Sequence, residues 1–213
     1  PLYSSAASDV YKRQEIRYYN GTYSSSALDS TKNVFIRAGS ATSVGTDLTI
    51  RDVTIRVVQN AMGDLASPNK CVGIQLIRQS NAIIDSVNIE GFYSGLELFA
   101  NARSFYTKLK IDAIGRSDIG LADHAILIDH LNSNQYNCTG LHFTDIEVKG
   151  SGVTQSGVEA PGFDNAIYLR SCDGLYIINS HFIGVNHGHH TYIDNDCVAV
   201  SYTHLTLPTN REV

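Results

Sequence analysis

An eight-residue unit recurs five times along the chain, and a chain built on such a unit has few ways to fold. It reads Leu48-Thr-Ile-Arg-Asp-Val-Thr-Ile55, Ala82-Ile-Ile-Asp-Ser-Val-Asn-Ile89, Ser104-Phe-Tyr-Thr-Lys-Leu-Lys-Ile111, Leu141-His-Phe-Thr-Asp-Ile-Glu-Val148 and Leu175-Tyr-Ile-Ile-Asn-Ser-His-Phe182. Apolar residues hold places one, three, six and eight, with Ser180 the main departure. Alternation of period two marks a strand, so each unit is a short strand, a polar corner and a second short strand. Asp52, Asp145 and Asn179 share one corner position, as stacked turn residues would.

A third strand precedes each unit: Gly73-Ile-Gln-Leu76, Gly95-Leu-Glu-Leu98, Ala125-Ile-Leu-Ile128 and Ala166-Ile-Tyr-Leu169. Val34-Phe-Ile36 and Cys197-Val-Ala199 read as the same strand at either end. Successive units start 34, 22, 37 and 34 residues apart. The extra residues fall in one place, at about 57–72, 113–124, 150–165 and 184–196. Fixed strands with variable connections on one flank describe a solenoid, often with its binding side there. Three strands per turn, stacked in parallel, make an all-β parallel β-helix of about five coils. A sandwich would need hairpin turns between successive strands, and the repeat lacks them.

The two ends follow different rules. Residues 4–14 back-translate to a string that reads as a sequencing-library adapter, and its reverse complement, entered two bases in, encodes residues 200–209. Residues 1–14 and 200–213 are therefore expected to be adapter-derived, and 15–199 to be an internal β-helix fragment, incomplete at both ends. The whole chain carries a net charge of −5, and −6 once Lys12, Arg13, Arg211, Asp9 and Glu212 are set aside. That balance argues against a nucleic-acid groove. No apolar run approaches the ~20 residues that cross a bilayer. Cys71, Cys138, Cys172 and Cys197 form no C-x-x-C pair, which argues against structural zinc.

The pattern G-I-x-L, a turn, then I-x-[DNS]-V-x-I resembles the right-handed parallel β-helices of the pectate lyase superfamily, which include polygalacturonase-type glycoside hydrolases and phage tailspikes. The resemblance covers residues 33–199. Ile193-Asp-Asn-Asp-Cys-Val-Ala199 is similar to the polygalacturonase stretch N-Q-D-D-C-[IV]-A, whose adjacent aspartates serve catalysis. Asp196 matches the second aspartate, while Asn195 replaces the first. Phe163-Asp-Asn-Ala-Ile-Tyr-Leu169 stands where that family has N-T-D-G-F-D-I, so Asn165 takes the catalytic place and Asp164 lies one residue early. The resemblance implies a polysaccharide partner, no cofactor, an extracellular or virion-associated setting, and a homotrimer if the chain is tailspike-like.

The residues carry a reading of their own. Asp123-His-Ala-Ile, Asp164-Asn-Ala-Ile and Asn195-Asp-Cys-Val put polar groups where the long connections meet the first strand. Coils stack ~4.8 Å apart. Carboxylates on neighbouring coils could then reach the ~5–5.5 Å of a retaining glycosidase, and those two coils apart the ~6.5–9.5 Å of an inverting one. Asp196, Asp164 and Asp194 are the catalytic candidates, and Glu97, Asp123, Tyr168 and His187 the substrate-binding ones; no metal site is expected. Each acid has an ordinary alternative, closing a turn through its own backbone. His187, His189 and His190 read as a surface loop, and Lys110, Glu147 and His181 as a surface charge ladder. Phe35, Tyr93 and Tyr168 could stack on sugar rings or simply pack. Cys138 and Cys172 match across coils, as a disulfide or, preferred, as stacked buried thiols. Any cleft is expected beside the column Gln75, Glu97, Leu127, Tyr168, away from Lys110 and Glu147. Hydrolysis of a glycosidic bond is preferred to β-elimination, for which Arg170 is the nearest base. The competing reading is a non-enzymatic coil of a tail fibre or adhesin.

Overall fold

The computed structural model describes residues 14–18, 32–57, 70–92, 94–113, 122–131, 137–150, 152–153, 159–160, 163–183 and 191–203. These residues form strands and turns, without a helix. None therefore offers a helix long and apolar enough to cross a membrane.

Most strands stack into three parallel ladders, each pairing with its counterpart in the next repeat. Apart from these, Gly152–Val153 pairs antiparallel with Glu159–Ala160, and Gly45–Thr46 parallel with Gln79–Ser80. The first ladder holds Lys32–Gly39, Lys70–Ile77, Ser94–Phe99, Ala122–Asp129, and the beginnings of Phe163–Ile178 and Thr191–Thr203. The second holds Thr49–Arg51, Ile83–Asp85, Phe105–Thr107, Cys138–Thr144 and the ends of the same two long strands. The third holds Gln14–Tyr18, Val53–Val57, Asn88–Glu90, Lys110–Ala113, Glu147–Gly150 and His181–Ile183. Because Phe163–Ile178 runs unbroken through two ladders, these form one curled sheet. The register repeats the sequence offsets: Ile50 faces Ile84, Ile84 faces Tyr106, Tyr106 faces Phe143 and Phe143 faces Ile177.

Alternation sends one apolar row of every ladder inward. Ile74, Leu96, Ile126 and Ile167 of the first ladder, Ile84, Tyr106 and Phe143 of the second, and Ile55, Ile89, Val148 and Phe182 of the third are fully buried. Each such side chain contributes roughly 1.5–3 kcal/mol over its exposed state. The polar exceptions in the row are bonded in place. Ser180 Oγ accepts the Ile146 N–H at 3.3 Å and donates to the Ile178 carbonyl at 3.0 Å. Ser104 Oγ does the same for Ala82 and Ala102, at 3.1 and 3.0 Å.

The corner between the second and third ladders is one left-handed residue per repeat: Asp52, Ser86, Lys108, Asp145 and Asn179, with φ of 49–57°. Each turns its N–H to the carbonyl one repeat on, as Ser86 N does to Thr107 O at 3.0 Å and Asp145 N to Ile178 O at 3.1 Å. The corner is thus hydrogen-bonded along the stack, which satisfies backbone groups that a lone turn leaves open.

Six connections run from the third ladder to the first: 19–31 and 91–93, besides the four expected long ones at 58–69, 114–121, 151–162 and 184–190. They share one junction, but the four long ones are shorter than the sequence suggests, because the first-ladder strands already begin at Lys70, Ala122, Phe163 and Thr191. Residues 130–137 connect Ala122–Asp129 of the first ladder to Cys138–Thr144 of the second, a different corner. Cys197-Val-Ala199 does not belong to the first ladder. Residues 191–193 take that place, with Tyr192 against Tyr168, while Cys197 pairs with Cys172 in the second ladder. The ladder also continues past Ala199: Val200 faces Leu175 and Tyr202 faces Ile177, on to Thr203. The Val-Ser-Tyr-Thr stretch has the alternation and β-branched content a strand needs, whatever its origin. Residues 1–13 and 204–213 lie outside the described residues.

Candidate functional site

Where the first ladder ends, an aspartate, a histidine and an arginine from two repeats meet. Asp129 closes the strand Ala122–Asp129 and faces Phe99 on one side. Arg170 stands at the equivalent place in the next repeat, and its Nη1 lies 3.5 Å from Asp129 Oδ2. The other carboxylate oxygen accepts the His130 N–H at 2.7 Å and lies 2.9 Å from His130 Nδ1. Asp129 is 13% exposed and Arg170 52%, so the carboxylate sits low and the guanidinium reaches outward.

The next strand is irregular at this point. Leu169 faces Ile193 but Ser171 faces Asp196, so Asp194 and Asn195 together oppose Arg170. Two residues against one is a β-bulge, which recurs beside active sites because it re-aims a side chain. Asp129, Arg170 and Asp194–Asn195 therefore occupy one row across three successive repeats.

The bulge revises the expected stacking. Asp164 lies between Phe163 and Asn165, which face Ala122 and His124, so it shares a row with Asp123 at the opposite end of the ladder. It precedes Arg170 by six residues, roughly 20 Å of extended strand, and cannot be the stacked neighbour of Asp196. Matching Asn195-Asp-Cys-Val to Asp164-Asn-Ala-Ile assumed that Cys197 opens a first-ladder strand. The cysteine row, Cys138, Cys172, Cys197, and the bulge set the register otherwise. The side chains of Asp123, Asp164, Asp194 and Asp196, and all of Tyr93, His187, His189 and His190, lie outside the described residues.

The remaining candidates are described. Glu97 alternates with the core residues Leu96 and Leu98, so it faces away from them, yet it is fully buried. Its Oε2 accepts a hydrogen bond from Gln75 Nε2 at 2.8 Å, and Arg37 feels its charge from two strands away. Burial lowers the Arg37 pKa from its ordinary value, and the Glu97 charge opposes that shift. Tyr168 is half-buried under the His124 ring, stacked at 4.4 Å and 16°, which covers one of its faces. Asn165 Nδ2 lies 3.1 Å from His124 Nδ1. Phe35 packs toward Phe92, ring centroids 6.2 Å apart.

A depression formed by described residues lies on the third ladder. About 180 Å³ in volume, it is lined by Asn88, Glu90, Lys110, Asp112, Glu147 and Lys149. This is the column from which a cleft was expected to be absent. Ion pairs leave gaps there: Arg56 Nε meets Glu90 at 2.6 Å and Lys110 Nζ meets Glu147 at 3.2 Å, drawing long side chains along the stack. Cys138 and Cys172 are free thiols, buried and in register. Burial pushes the Cys138 thiol up to about 12, so it stays protonated and unreactive at neutral pH.

Asp129 was legible but overlooked. After each first-strand tetrad the sequence reads Ile77, Phe99, Asp129 and Arg170, an acid and a base at one repeat position. No family of known proteins, no curated protein and no solved structure matches this chain.

Proposed function

We propose that the chain is part of a right-handed parallel β-helix of pectate lyase superfamily type, about five coils long, that binds a polysaccharide and hydrolyses its glycosidic bonds. The observation that carries the reading is the row at the end of the first ladder, where Asp129 and Arg170 share a row with the positions of Asp194 and Asn195, one residue before Asp196. Glycoside hydrolysis needs one carboxyl to protonate the leaving oxygen and a second to assist the attack. Asp196 and Asp194 supply carboxyls at the motif-like stretch. Asp164, Asp123, Tyr168 and His187 are assigned to binding the chain of sugars along the ladder, while Glu97, fully buried, is not. Hydrolysis is favoured over elimination because the guanidinium of Arg170 is engaged by Asp129, whereas an eliminating base must be free to take a proton. The setting proposed is extracellular or virion-associated, with a homotrimer if the protein is tailspike-like and no nucleic-acid partner.

A second reading, a structural or adhesin coil, is favoured by a specific observation: several acids are spent on neighbours in the stack. Glu90 pairs with Arg56, Glu147 with Lys110, and Asp145 accepts from Asn179. The two readings separate in one assay of the full chain on polygalacturonate and on arabinogalactan. New reducing ends without ultraviolet absorbance from a sugar double bond support hydrolysis. The same ends with that absorbance replace hydrolysis by elimination. Binding without new ends supports the adhesin.

A further inference from the structure

We infer that Cys138 and Cys172 are a redox pair, two thiols in the reduced chain that oxidation joins into a disulfide tying one repeat to the next beneath Asp129 and Arg170. The inference stands apart from the hydrolytic reading. The two residues are register partners on adjacent strands, and both are fully buried. Register partners in a parallel ladder lie ~4.8 Å apart, within the ~4.4–6.8 Å between Cα atoms that a disulfide spans. Both sulfurs point into the same part of the interior, since the fully buried Tyr106 hydroxyl is close enough to feel the charge of either. Cys138 Sγ also donates to the Asp129 carbonyl at 3.6 Å, and Cys172 follows Arg170 by two residues.

Closing the bond requires a small approach of the strands. Parallel side chains at strand spacing hold their Cβ atoms ~4.8 Å apart, against ~3.8 Å in a relaxed disulfide. The adjacent corner can supply that movement, because Gly140 and Gly174 stack there with φ of 58° and 76°. Glycine shifts within this region without a Cβ clash. The strain that remains makes the bond easier to reduce than a relaxed structural disulfide, which suits a switch better than a permanent staple. Cys197, next in the same row, competes for Cys172. The bulge at Asp194 and Asn195 bends the strand just before Cys197, so Cys138 is the better-placed partner.

The exchange balances with a small-molecule disulfide, such as oxidised glutathione, as oxidant. One cysteine thiolate attacks it and releases one glutathione thiolate. The second cysteine thiolate attacks the mixed disulfide, forms the Cys138–Cys172 bond and releases the other. Two electrons pass to glutathione, and the two protons lost by the cysteines end on the two glutathione thiols. In the folded chain, burial keeps Cys138 protonated and out of reach of the oxidant. Closure therefore takes place while the second ladder is open, during folding or after local unfolding.

The test unfolds the full chain in urea, refolds it with reduced and oxidised glutathione, and maps disulfides by mass spectrometry of a proteolytic digest. The expected product is lighter by two hydrogens, has one peptide pair joined through Cys138 and Cys172, and has a higher urea midpoint than chain refolded with a reductant. The double variant Cys71→Ser, Cys197→Ser, which keeps only this pair, should close the same bond. Native chain held in the same mixture for the same time should keep both thiols. Refolded parent chain that retains every thiol, or that joins Cys172 to Cys197 instead, overturns the inference. Native chain that oxidises as fast as refolding chain overturns closure before burial.

Discussion

Single residues with positive φ hold the corners of this molecule. At Lys108, φ of 51° presses Cβ toward the neighbouring carbonyl, a strain that unbranched side chains tolerate and β-branched ones do not. Lys108→Ile should therefore lower stability by about 1–2 kcal/mol, read from the urea midpoint. An unchanged midpoint would mean that the corner is not left-handed there. The corner was legible at Asp52, Asp145 and Asn179, which are residue types that accept this conformation. It was not legible at Lys108, a residue type with no preference for this conformation. A second residue-scale expectation concerns pH. A thiol whose pKa is higher folded than unfolded stabilises the protein fully below the unfolded value, and that contribution is lost as pH rises through the folded one. For Cys138 the window runs from the ordinary 9.0 to about 12. Burial raises Tyr106 in the same direction, which deepens the fall at its alkaline end. The urea midpoint should drop across that window, and drop less steeply in Cys138→Ala; parallel slopes would remove the thiol from the explanation.

Between elements, the first ladder lies so close to the third that a side chain has no room at Gly95. A Cβ there would sit 2.6 Å from Ile111 Cγ2 and 2.7 Å from the Ala125 carbonyl oxygen. A backbone oxygen cannot move aside as a flexible side chain can, so Gly95→Ala should cost about 1–3 kcal/mol by thermal or urea unfolding. A neutral substitution would place the two ladders further apart than described. On the second ladder, Phe105, His142 and Tyr176 stack at 4.9 and 4.7 Å, nearly parallel. Ring faces turned toward one another leave mainly edges to the solvent, so this ladder binds repeats together more readily than it binds a sugar ring. Pairing of elements was legible from the spacing of the units, since every coil must close before the next begins. The bulge at 194–195 was not, because Asn195-Asp-Cys-Val satisfies the pattern of either ladder and only the pairing of Cys197 with Cys172 decides.

Across the whole molecule, the apolar repeat dictates the stacking and charge decorates it. Burial at fixed places has one solution in sequence, which is why the three ladders are legible in the repeat itself. The candidate site depended instead on which outward residues share a row. That row shifts with a single extra residue, so Asp196 kept its place in the motif while its expected partner Asp164 fell to the other end of the ladder. Both the stacking and the row of Asp129, Arg170 and Asp194 require parallel repeats in the stated register. The most direct measurement is oxidative cross-linking of paired cysteines placed on the outer second ladder, where Thr107 faces Thr144 and His142 lies one diagonal away. Register neighbours lie ~4.8 Å apart, inside the range a disulfide spans, while diagonal neighbours at ~7–8 Å lie outside it. The double variant Thr107→Cys, Thr144→Cys should form an intramolecular disulfide under mild oxidation, seen as lost thiols without a dimer, and Thr107→Cys, His142→Cys should not. The reverse result would contradict the register and every stacked row drawn from it.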